Sequence, residues 1–253
     1  GHAEPMKAII TDLDRTLLRT DKSISEYTCA VLKKCHDRGM PLMAATARPE
    51  RAVLTYRSQV GFDALTTLNG ARIILPSGVL ENGIAPRSAE AILRRVVDIP
   101  DVALSMETGE GAFSNKPIPE WNVRAFEGFP ALPTESTIYK ILLSREGETI
   151  QPEVERALTP DTYMTVAEGK LIQVMSTAAT KWNGIRVMLE AAGIHNREAI
   201  YFGEDYDDIE AIKNCGTGVA VSNAIAEALA AADIVAQSND MDGVAHYIEK
   251  NLL

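Results

Sequence analysis

The most restrictive feature of the sequence is an alternation of strand-like and helix-like segments at both ends, interrupted by a different pattern in the middle. Apolar, β-rich runs at residues 6–11, 41–46 and 64–68 are separated by single stretches with helical spacing. The same alternation returns at residue 180, includes a helix-like segment at residues 207–213 and continues to another at residues 243–251. Strands separated by single helices are typical of a parallel, doubly wound sheet. We therefore predict an α/β fold built on such a sheet.

The middle of the chain mixes hairpin-like and helix-like patterns. Residues 88–97 have helical spacing, residues 163–175 read as a hairpin, and residues 108–133 show no clear period and are expected to be mostly loop. The alternative to a folded middle region is a long irregular connection, which is uncommon in compact proteins. We predict an α+β domain inserted into the βα domain. The predicted boundaries are 1–80 and 178–253 for the core, and 81–177 for the insertion.

Composition and charge restrict the classes of partner and compartment. The chain has 253 residues and a formal net charge of −10, so the phosphate backbone of a nucleic acid would repel it. No apolar run is long enough to span a bilayer, and no signal-peptide pattern opens the chain. Cys29, Cys35 and Cys215 are odd in number and widely scattered. They indicate a reducing compartment, and we expect a cytoplasmic protein with neither a nucleic-acid nor a membrane partner.

Two aspartates separated by one residue, Asp12 and Asp14, follow the first predicted strand directly. A strand that ends in this D-x-D-x-T pattern would deliver two carboxylates to the edge of the sheet. Like charges this close in a partly desolvated site require a neutralising cation, or one carboxyl group must keep its proton. The pattern predicts a metal site or a carboxylate nucleophile beside a carboxylic acid, although aspartates also occur in ordinary turns.

Three further polar groups lie just after predicted strands or at a helix start, and ligands bind at the strand ends of open α/β sheets. They are Thr46-Ala47-Arg48, Lys181 and the acidic segment 203–208. The carboxylates form an oxygen-rich site of the kind that Mg²⁺ prefers. A hydroxyl, a lysine and backbone amides suit the oxygens of a phosphoryl group. An aspartate can attack phosphorus, and a second, protonated one can donate to the leaving oxygen and later activate water.

The ordered set of these groups, and no single member, carries a family resemblance. Residues 12–18, with the sequence D-L-D-R-T-L-L, resemble the first motif of the haloacid dehalogenase (HAD) superfamily. Thr46-Ala47-Arg48 resembles its second motif, Lys181 its third and residues 203–208 its fourth. Further segments are similar to signatures of the Cof-type branch, namely 67–71, 219–224, 232–235 and 242–244. The resemblance covers nearly the whole chain and implies a Rossmann-like core with a large type IIB cap.

By position in these motifs, the resemblance assigns roles to individual residues. Asp12 would be the nucleophile, and Asp14 would be the general acid and base. The phosphoryl oxygens would be held by Thr46, Lys181, Ala47, Arg48 and Asn69. The ligands of Mg²⁺ would be Asp12, Asp14, which also offers its backbone carbonyl, Glu204 and Asp208. Further candidates near the site are Arg15, Asp205, Asp207 and Asn223.

Four residues depart from the family pattern. Arg15 and Ala47 replace glycine, Glu204 replaces aspartate, and Asp207 replaces asparagine. Because Glu204 is one methylene longer and Mg²⁺ demands near-ideal octahedral placement, we expect shifted ligand geometry or an intervening water. Arg15 is expected either to contact the substrate or to block the site.

The resemblance implies a Mg²⁺-dependent phosphoric monoester hydrolase that acts on a small phosphorylated metabolite, such as a sugar phosphate, through an aspartyl-phosphate. The alternative is a degenerate module that binds a phosphorylated ligand with little or no turnover. The large cap disfavours a phosphomutase, since type IIB members are mainly hydrolases, and a dehalogenase would not need the acidic fourth motif for Mg²⁺. The cap is expected to select the substrate. Trp121 and Phe126 are candidate contacts, with packing in the cap core as the alternative. The sequence predicts no particular oligomeric state.

Overall fold

The chain divides into two compact units in a computed structural model that describes residues 5–118, 123–125, 135–167 and 169–253. The first unit comprises Gly1–Leu80 and Thr180–Leu253, and the second comprises Glu81–Ala179. Trp121 and Phe126, the predicted aromatic contacts, lie outside the described residues.

A single mixed sheet, mostly parallel, forms the centre of the first unit in the described residues. Its strands are β1 (Ala8–Asp12), β2 (Leu42–Ala45), β3 (Ala64–Thr67), β4 (Arg72–Leu75), β5 (Gly78–Glu81), β12 (Ala199–Gly203), β13 (Thr217–Val221) and β14 (Ile234–Ala236). The spatial order is β14-β13-β12-β1-β2-β3-β4-β5. The pairs from β14 to β3 are parallel, whereas β4 pairs antiparallel with β3. The predicted α/β fold with a parallel core sheet is confirmed.

Helices cover both faces of this sheet. Successive side chains of a strand point to opposite faces, so apolar side chains on each face of the buried strands pack against helices. On β1, Ile9 packs in a cluster with α1 (Glu26–Asp37), α2 (Leu54–Gln59) and α8 (Gly243–Asn251). Its neighbour Ile10 packs in a second cluster with α5 (Lys181–Ala191), α6 (Ile209–Asn214) and α7 (Ala226–Ala231). Burying each such isoleucine contributes about 1.5–3 kcal/mol. In the described part of the chain, every helix is too short or too polar to cross a membrane.

The second unit has its own sheet and its own hydrophobic core. Its elements are α3 (Pro86–Val96), β6 (Ala103–Thr108), β7 (Gly111–Ser114), β8 (Arg124–Ala125), β9 (Ile138–Ser144), α4 (Gln151–Ala157), β10 (Thr162–Ala167) and β11 (Leu171–Ser176). The strand order is β10-β11-β9-β6-β7-β8, and the pairs are antiparallel except β7 with β8. Ile92 and Leu93 of α3 pack on Leu104, Ile141 and Val174 of the sheet. The α+β character predicted for this region is confirmed.

Two local predictions were wrong and a third was incomplete, because short elements lack a clear period. The segment 108–133, expected to be mostly loop, contains the short strands β7 and β8 among its described residues, and Gly111 at the start of β7 has a φ of 116°. Instead of the single helix expected after the second strand, the chain forms a 3₁₀ turn at Glu50–Ala52 and then α2. Val53 separates the two, because its φ of −118° is not helical. The helix expected from Asp207 begins at Ile209, because Asp205 caps a 3₁₀ turn that contains Asp207 and Asp208.

Candidate active site

The sheet order brings the predicted motifs to one edge of the first unit. Strands β12, β1, β2 and β3 are neighbours, and all four run in parallel. Their carboxyl ends carry Glu204, Asp12, Thr46 and Asn69, in that order. Lys181 is the first residue of α5 and reaches the same edge through its contacts with Asp12 and Asp208. The groups predicted from separate parts of the sequence therefore lie close together.

Asp12 ends β1 with a carboxylate held on both oxygens. Its Oδ1 accepts hydrogen bonds from the backbone N–H of Leu13 at 2.8 Å and from Lys181 Nζ at 3.0 Å. Its Oδ2 accepts one from Thr16 Oγ1 at 3.0 Å. Burial, followed by the charge of Asp208, raises the pKa of Asp12 well above its ordinary value, although Lys181 opposes the shift. An oriented carboxylate at a strand end, close to a fixed cation, is suited to attack an electrophile.

Lys181 places a buried positive charge among three carboxylates. Its Nζ lies 3.0 Å from both Asp12 Oδ1 and Asp208 Oδ1, and 3.3 Å from Asp207 Oδ1. Only 3% of its side chain is exposed. Burial alone would lower the pKa of Lys181, but the surrounding carboxylates outweigh that effect and raise the pKa well above its ordinary value. The ammonium is therefore a permanent charge of the site, able to bind the oxygens of a phosphoryl group.

Asp208 is fully buried, and hydrogen bonds hold both of its oxygens. Oδ1 accepts from Lys181 Nζ and from the hydroxyl of Tyr201, while Oδ2 accepts from the backbone N–H groups of Glu204 at 2.9 Å and Asp205 at 3.0 Å. Tyr201 was not among the residues predicted from sequence, because a tyrosine in a buried strand looks like ordinary core. The structure shows that its hydroxyl reaches the site from inside β12.

We expect Tyr201→Phe to lower the free energy of unfolding by about 1–3 kcal/mol, because a buried carboxylate loses one of its donors. Urea unfolding in metal-free buffer would measure this change. Tyr206→Phe is the matched control, since Tyr206 is 65% exposed and its change should stay within about 0.5 kcal/mol. Equal effects of the two variants would show that the Tyr201 hydroxyl does not support Asp208.

The acids around Lys181 form a donor set that fits a divalent cation. One carboxylate oxygen from each of Asp12, Glu204 and Asp208 lies within 4.8 Å of the others. Burial, followed by the charges of Asp205 and Asp208, raises the pKa of Glu204 to about 8. Burial also raises the pKa of Asp207 to about 6. A hard cation with oxygen ligands would relieve the repulsion that raises these pKa values, so the residues present fit such an ion.

In metal-free buffer, we expect the free energy of unfolding to fall as the pH rises from about 5 to about 8. The folded state keeps the proton of Glu204 up to a pKa of about 8, whereas the unfolded chain loses it near the ordinary value of 4.5. Between these values the unfolded state binds fewer protons, so a rise in pH favours unfolding. Asp207, with its pKa raised to about 6, acts in the same direction.

Urea unfolding at three pH values in this interval, with EDTA present, would measure the slope. Glu204→Gln should make the dependence on pH shallower, and Glu210→Gln, an exposed change on α6, should leave it unaltered. Added Mg²⁺ should also reduce the slope, because it favours the ionised carboxylates. A wild-type stability that is constant or rises across the interval would contradict the expectation.

Asp14 is paired with Arg48 and is partly exposed, unlike the buried acids. Arg48 Nε donates to Asp14 Oδ2 at 2.7 Å, and a terminal nitrogen of Arg48 donates to Asp14 Oδ1 at 2.8 Å. Burial would raise the pKa of Asp14, but the hydrogen bonds and charge of Arg48 outweigh it and hold the pKa below its ordinary value. The family resemblance implied that Arg48 holds phosphoryl oxygens, whereas in the structure its guanidinium contacts Asp14.

The remaining predicted residues shape the loops around these groups. Asn69, at a φ of 57°, donates through Nδ2 to Asp207 Oδ2 at 3.0 Å. Arg15 is exposed and has a φ of 60°, a conformation that favours the glycine usual at this position. Asn223 donates to the backbone oxygen of Arg15 at 2.9 Å, so it supports the loop of the first motif. The Asp205 side chain accepts from the backbone N–H of Tyr206 at 2.8 Å.

Thr46 and Ala47 form the turn after β2. Thr46 is buried, and its Oγ1 accepts a hydrogen bond from the backbone N–H of Arg48 at 3.0 Å. Ala47 is partly buried. Nearby, Gly70 has a φ of 105°, and a Cβ there would lie 2.3 Å from the carbonyl oxygen of Thr180. Glycine at position 70 thus allows the loop after β3 to approach the start of α5, which carries Lys181.

Comparison with known proteins identifies a family that matches nearly the whole chain. A family profile described as haloacid dehalogenase-like hydrolase matches residues 9–248. A Haemophilus influenzae protein named "Putative phosphatase" is 27% identical over 257 residues, covering 96% of this chain and 97% of that protein. The crystal structure of a haloacid dehalogenase-like hydrolase from Bacteroides thetaiotaomicron has a TM-score of 0.83 at 24% identity, covering 97% of this chain and 99% of that one. A sugar phosphatase of HAD subclass IIB has a TM-score of 0.82 at 20% identity, covering 97% and 98% of the two chains.

Proposed function

The chain belongs to the haloacid dehalogenase-like hydrolases, a family of enzymes, and we propose that it is a Mg²⁺-dependent phosphatase of small phosphorylated metabolites. The observation that carries this proposal is the oriented carboxylate of Asp12, 3.0 Å from the buried ammonium of Lys181 and grouped with Glu204 and Asp208. This arrangement offers a nucleophile, a cation for phosphoryl oxygens and a set of metal ligands. The relative named as a phosphatase supports the same reaction class.

Asp12, Glu204 and Asp208 would hold the Mg²⁺, together with the backbone carbonyl of Asp14. When bound, the cation would neutralise the carboxylates and polarise the phosphoryl oxygens. Asp208 accepts two hydrogen bonds on each oxygen, which occupy the lone pairs of a carboxylate. We therefore expect Asp208 to contribute mainly charge and Asp12 and Glu204 to provide the more available oxygens.

In the first half of the proposed reaction, an oxygen of Asp12 attacks phosphorus and the bond from phosphorus to the leaving oxygen breaks. The Arg48 contact favours the ionised form of Asp14, so in this scheme Asp14 takes up a proton when the substrate is bound. It donates that proton to the leaving oxygen, which departs as an alcohol. In the second half, a water attacks the phosphorus of the aspartyl-phosphate and gives a proton back to Asp14. The bond between phosphorus and Asp12 breaks, inorganic phosphate leaves, and both aspartates return to their starting states.

The transferred group would be bound by residues that surround Asp12. Lys181 would neutralise phosphoryl oxygens, and the hydroxyl of Thr46, the backbone amide of Ala47 and the amide of Asn69 would add hydrogen bonds. The second unit, Glu81–Ala179, is proposed to act as the cap that selects the substrate. A sugar phosphate is the substrate class we favour, because the subclass IIB neighbour with the same fold is a sugar phosphatase.

Phosphate release from an aryl phosphate and from a panel of sugar phosphates and other small phosphomonoesters tests the proposal. We expect turnover that depends on Mg²⁺ and stops when EDTA is added. Absence of turnover on every compound would overturn it. In that case, thermal stabilisation of the protein by a phosphorylated compound would favour the alternative of a binding module, which the departures at Arg15 and Glu204 motivate.

A further inference from the structure

We infer that Arg48 is a positioning residue that orients the carboxylate of Asp14, and that it does not hold the phosphoryl group. The inference rests on the proposed function, in which Asp14 exchanges protons with the leaving oxygen and with water. Its basis is the two-point contact in which Arg48 nitrogens donate to both Asp14 oxygens at 2.7 and 2.8 Å. Two parallel hydrogen bonds fix the direction of a carboxylate as well as its position.

Asp14 needs such support because its surroundings differ from those of Asp12. The Asp14 side chain is 42% exposed, whereas that of Asp12 is 6% exposed. Asp12 is held by a backbone amide, a hydroxyl and a lysine, all from buried positions. A half-exposed carboxylate with no such frame would sample several rotamers, and a proton donor that is displaced by about 1 Å can lose about 10²-fold in rate.

Arg48 is itself held in place by the turn after β2. Its backbone N–H donates to Thr46 Oγ1 at 3.0 Å, and its carbonyl oxygen accepts from the Leu68 N–H at 3.0 Å. Its side chain donates to the carbonyl oxygen of Ala52 at 3.2 Å, and its guanidinium carbon lies 5.4 Å from the centre of the Tyr56 ring. These contacts hold the guanidinium in the orientation that meets Asp14. An arginine restrained in this way acts as a fixed frame for its partner.

A double-variant cycle on kcat tests the inference. Arg48→Gln in the wild-type chain should lower kcat about 10–100-fold with KM changed less than about threefold. In the Asp14→Asn background, the same substitution should lower kcat by less than about threefold more, because Arg48 acts through the group already removed. The inference would be overturned if the losses in kcat of the two single variants multiply in the double variant. It would also be overturned if Arg48→Gln keeps the wild-type kcat.

Binding of inorganic phosphate with Mg²⁺ present, measured by calorimetry, gives a readout that needs no turnover. The proteins to compare are Asp14→Asn and the double variant, because both lack the charge of Asp14 and they differ only at Arg48. If Arg48 acts only through Asp14, the two dissociation constants should agree within about threefold, whereas loss of a direct phosphoryl contact would separate them by at least about tenfold. If the wild type turns over no phosphomonoester, the proposed function fails, and this comparison still decides where Arg48 acts.

Two further variants distinguish the two-point contact of the Arg48 guanidinium from its positive charge, and a specific effect from general damage to the protein. Arg48→Lys keeps a positive charge without the two-point contact, so kcat should stay lowered at least about fivefold. Arg57→Gln is the matched control, because Arg57 lies on α2 and pairs with Glu50 at 3.3 Å. It should leave kcat, KM and phosphate binding at wild-type values. Full recovery of kcat in Arg48→Lys would show that charge alone is needed and would overturn the positioning role.

Discussion

Replacing Asp12 with asparagine is expected to lower kcat for phosphate release by about 10³-fold or more. An amide lacks the negative charge that makes a carboxylate oxygen nucleophilic, so the aspartyl-phosphate cannot form. A loss of this size corresponds to about 4 kcal/mol of transition-state stabilisation. It is the largest effect on activity that the site predicts.

The same substitution should not destabilise the metal-free protein. Burial and the charge of Asp208 already raise the pKa of Asp12 well above its ordinary value, so the ionised carboxylate is unfavourable there. Asparagine removes that charge, while Lys181 keeps its contacts with Asp208 and Asp207. We therefore expect a melting temperature in EDTA equal to or above that of the wild type.

Three measurements check this prediction. Phosphate release with Mg²⁺ gives kcat, thermal unfolding in EDTA gives stability, and mass spectrometry of acid-quenched reactions detects phosphate on the peptide that contains Asp12. Asp37→Asn, an exposed change at the end of α1, is the control and should match the wild type in all three. Turnover by Asp12→Asn within about tenfold of the wild type would exclude Asp12 as the nucleophile.

Replacing Lys181 with methionine is expected to lower the free energy of unfolding at neutral pH by about 3–5 kcal/mol in metal-free buffer. The side chains are similar in length, but the charge that faces Asp12, Asp207 and Asp208 is lost. Buried carboxylates without a counter-charge repel one another and cannot regain their hydration. This is the largest effect on stability that the site predicts.

Two conditions should restore part of that stability. Lowering the pH to about 5 protonates carboxylates whose pKa values are raised, and Mg²⁺ stabilises the folded state by binding to it alone. Urea unfolding with EDTA or Mg²⁺ at both pH values measures these effects. Lys213→Met, an exposed change on α6, should alter stability by less than about 0.5 kcal/mol. An equally small effect of Lys181→Met would show that its ammonium does not balance the acids.

Much of the fold could be predicted from local pattern. The alternation of apolar strands and amphipathic helices has a period that is readable in a single sequence, and it indicated the parallel sheet and the mixed middle region. Short elements with glycine or with a break were missed, as at Gly111 and Val53, because a few residues show no period. For the same reason the start of α6 was placed two residues too early, at Asp207 instead of Ile209.

The sequence by itself determined which chemical groups are present and in what order along the chain, because motifs at strand ends are local. Only the tertiary structure decided which groups meet. Lys181 contacts Asp12 across 169 residues and Asp208 across 27, and Tyr201 reaches Asp208 from within a buried strand. Arg48 turns to Asp14, although its motif suggested the phosphoryl group. The physical reason is that such pairings depend on strand order and on side-chain rotamers, and neither leaves a periodic signal in sequence.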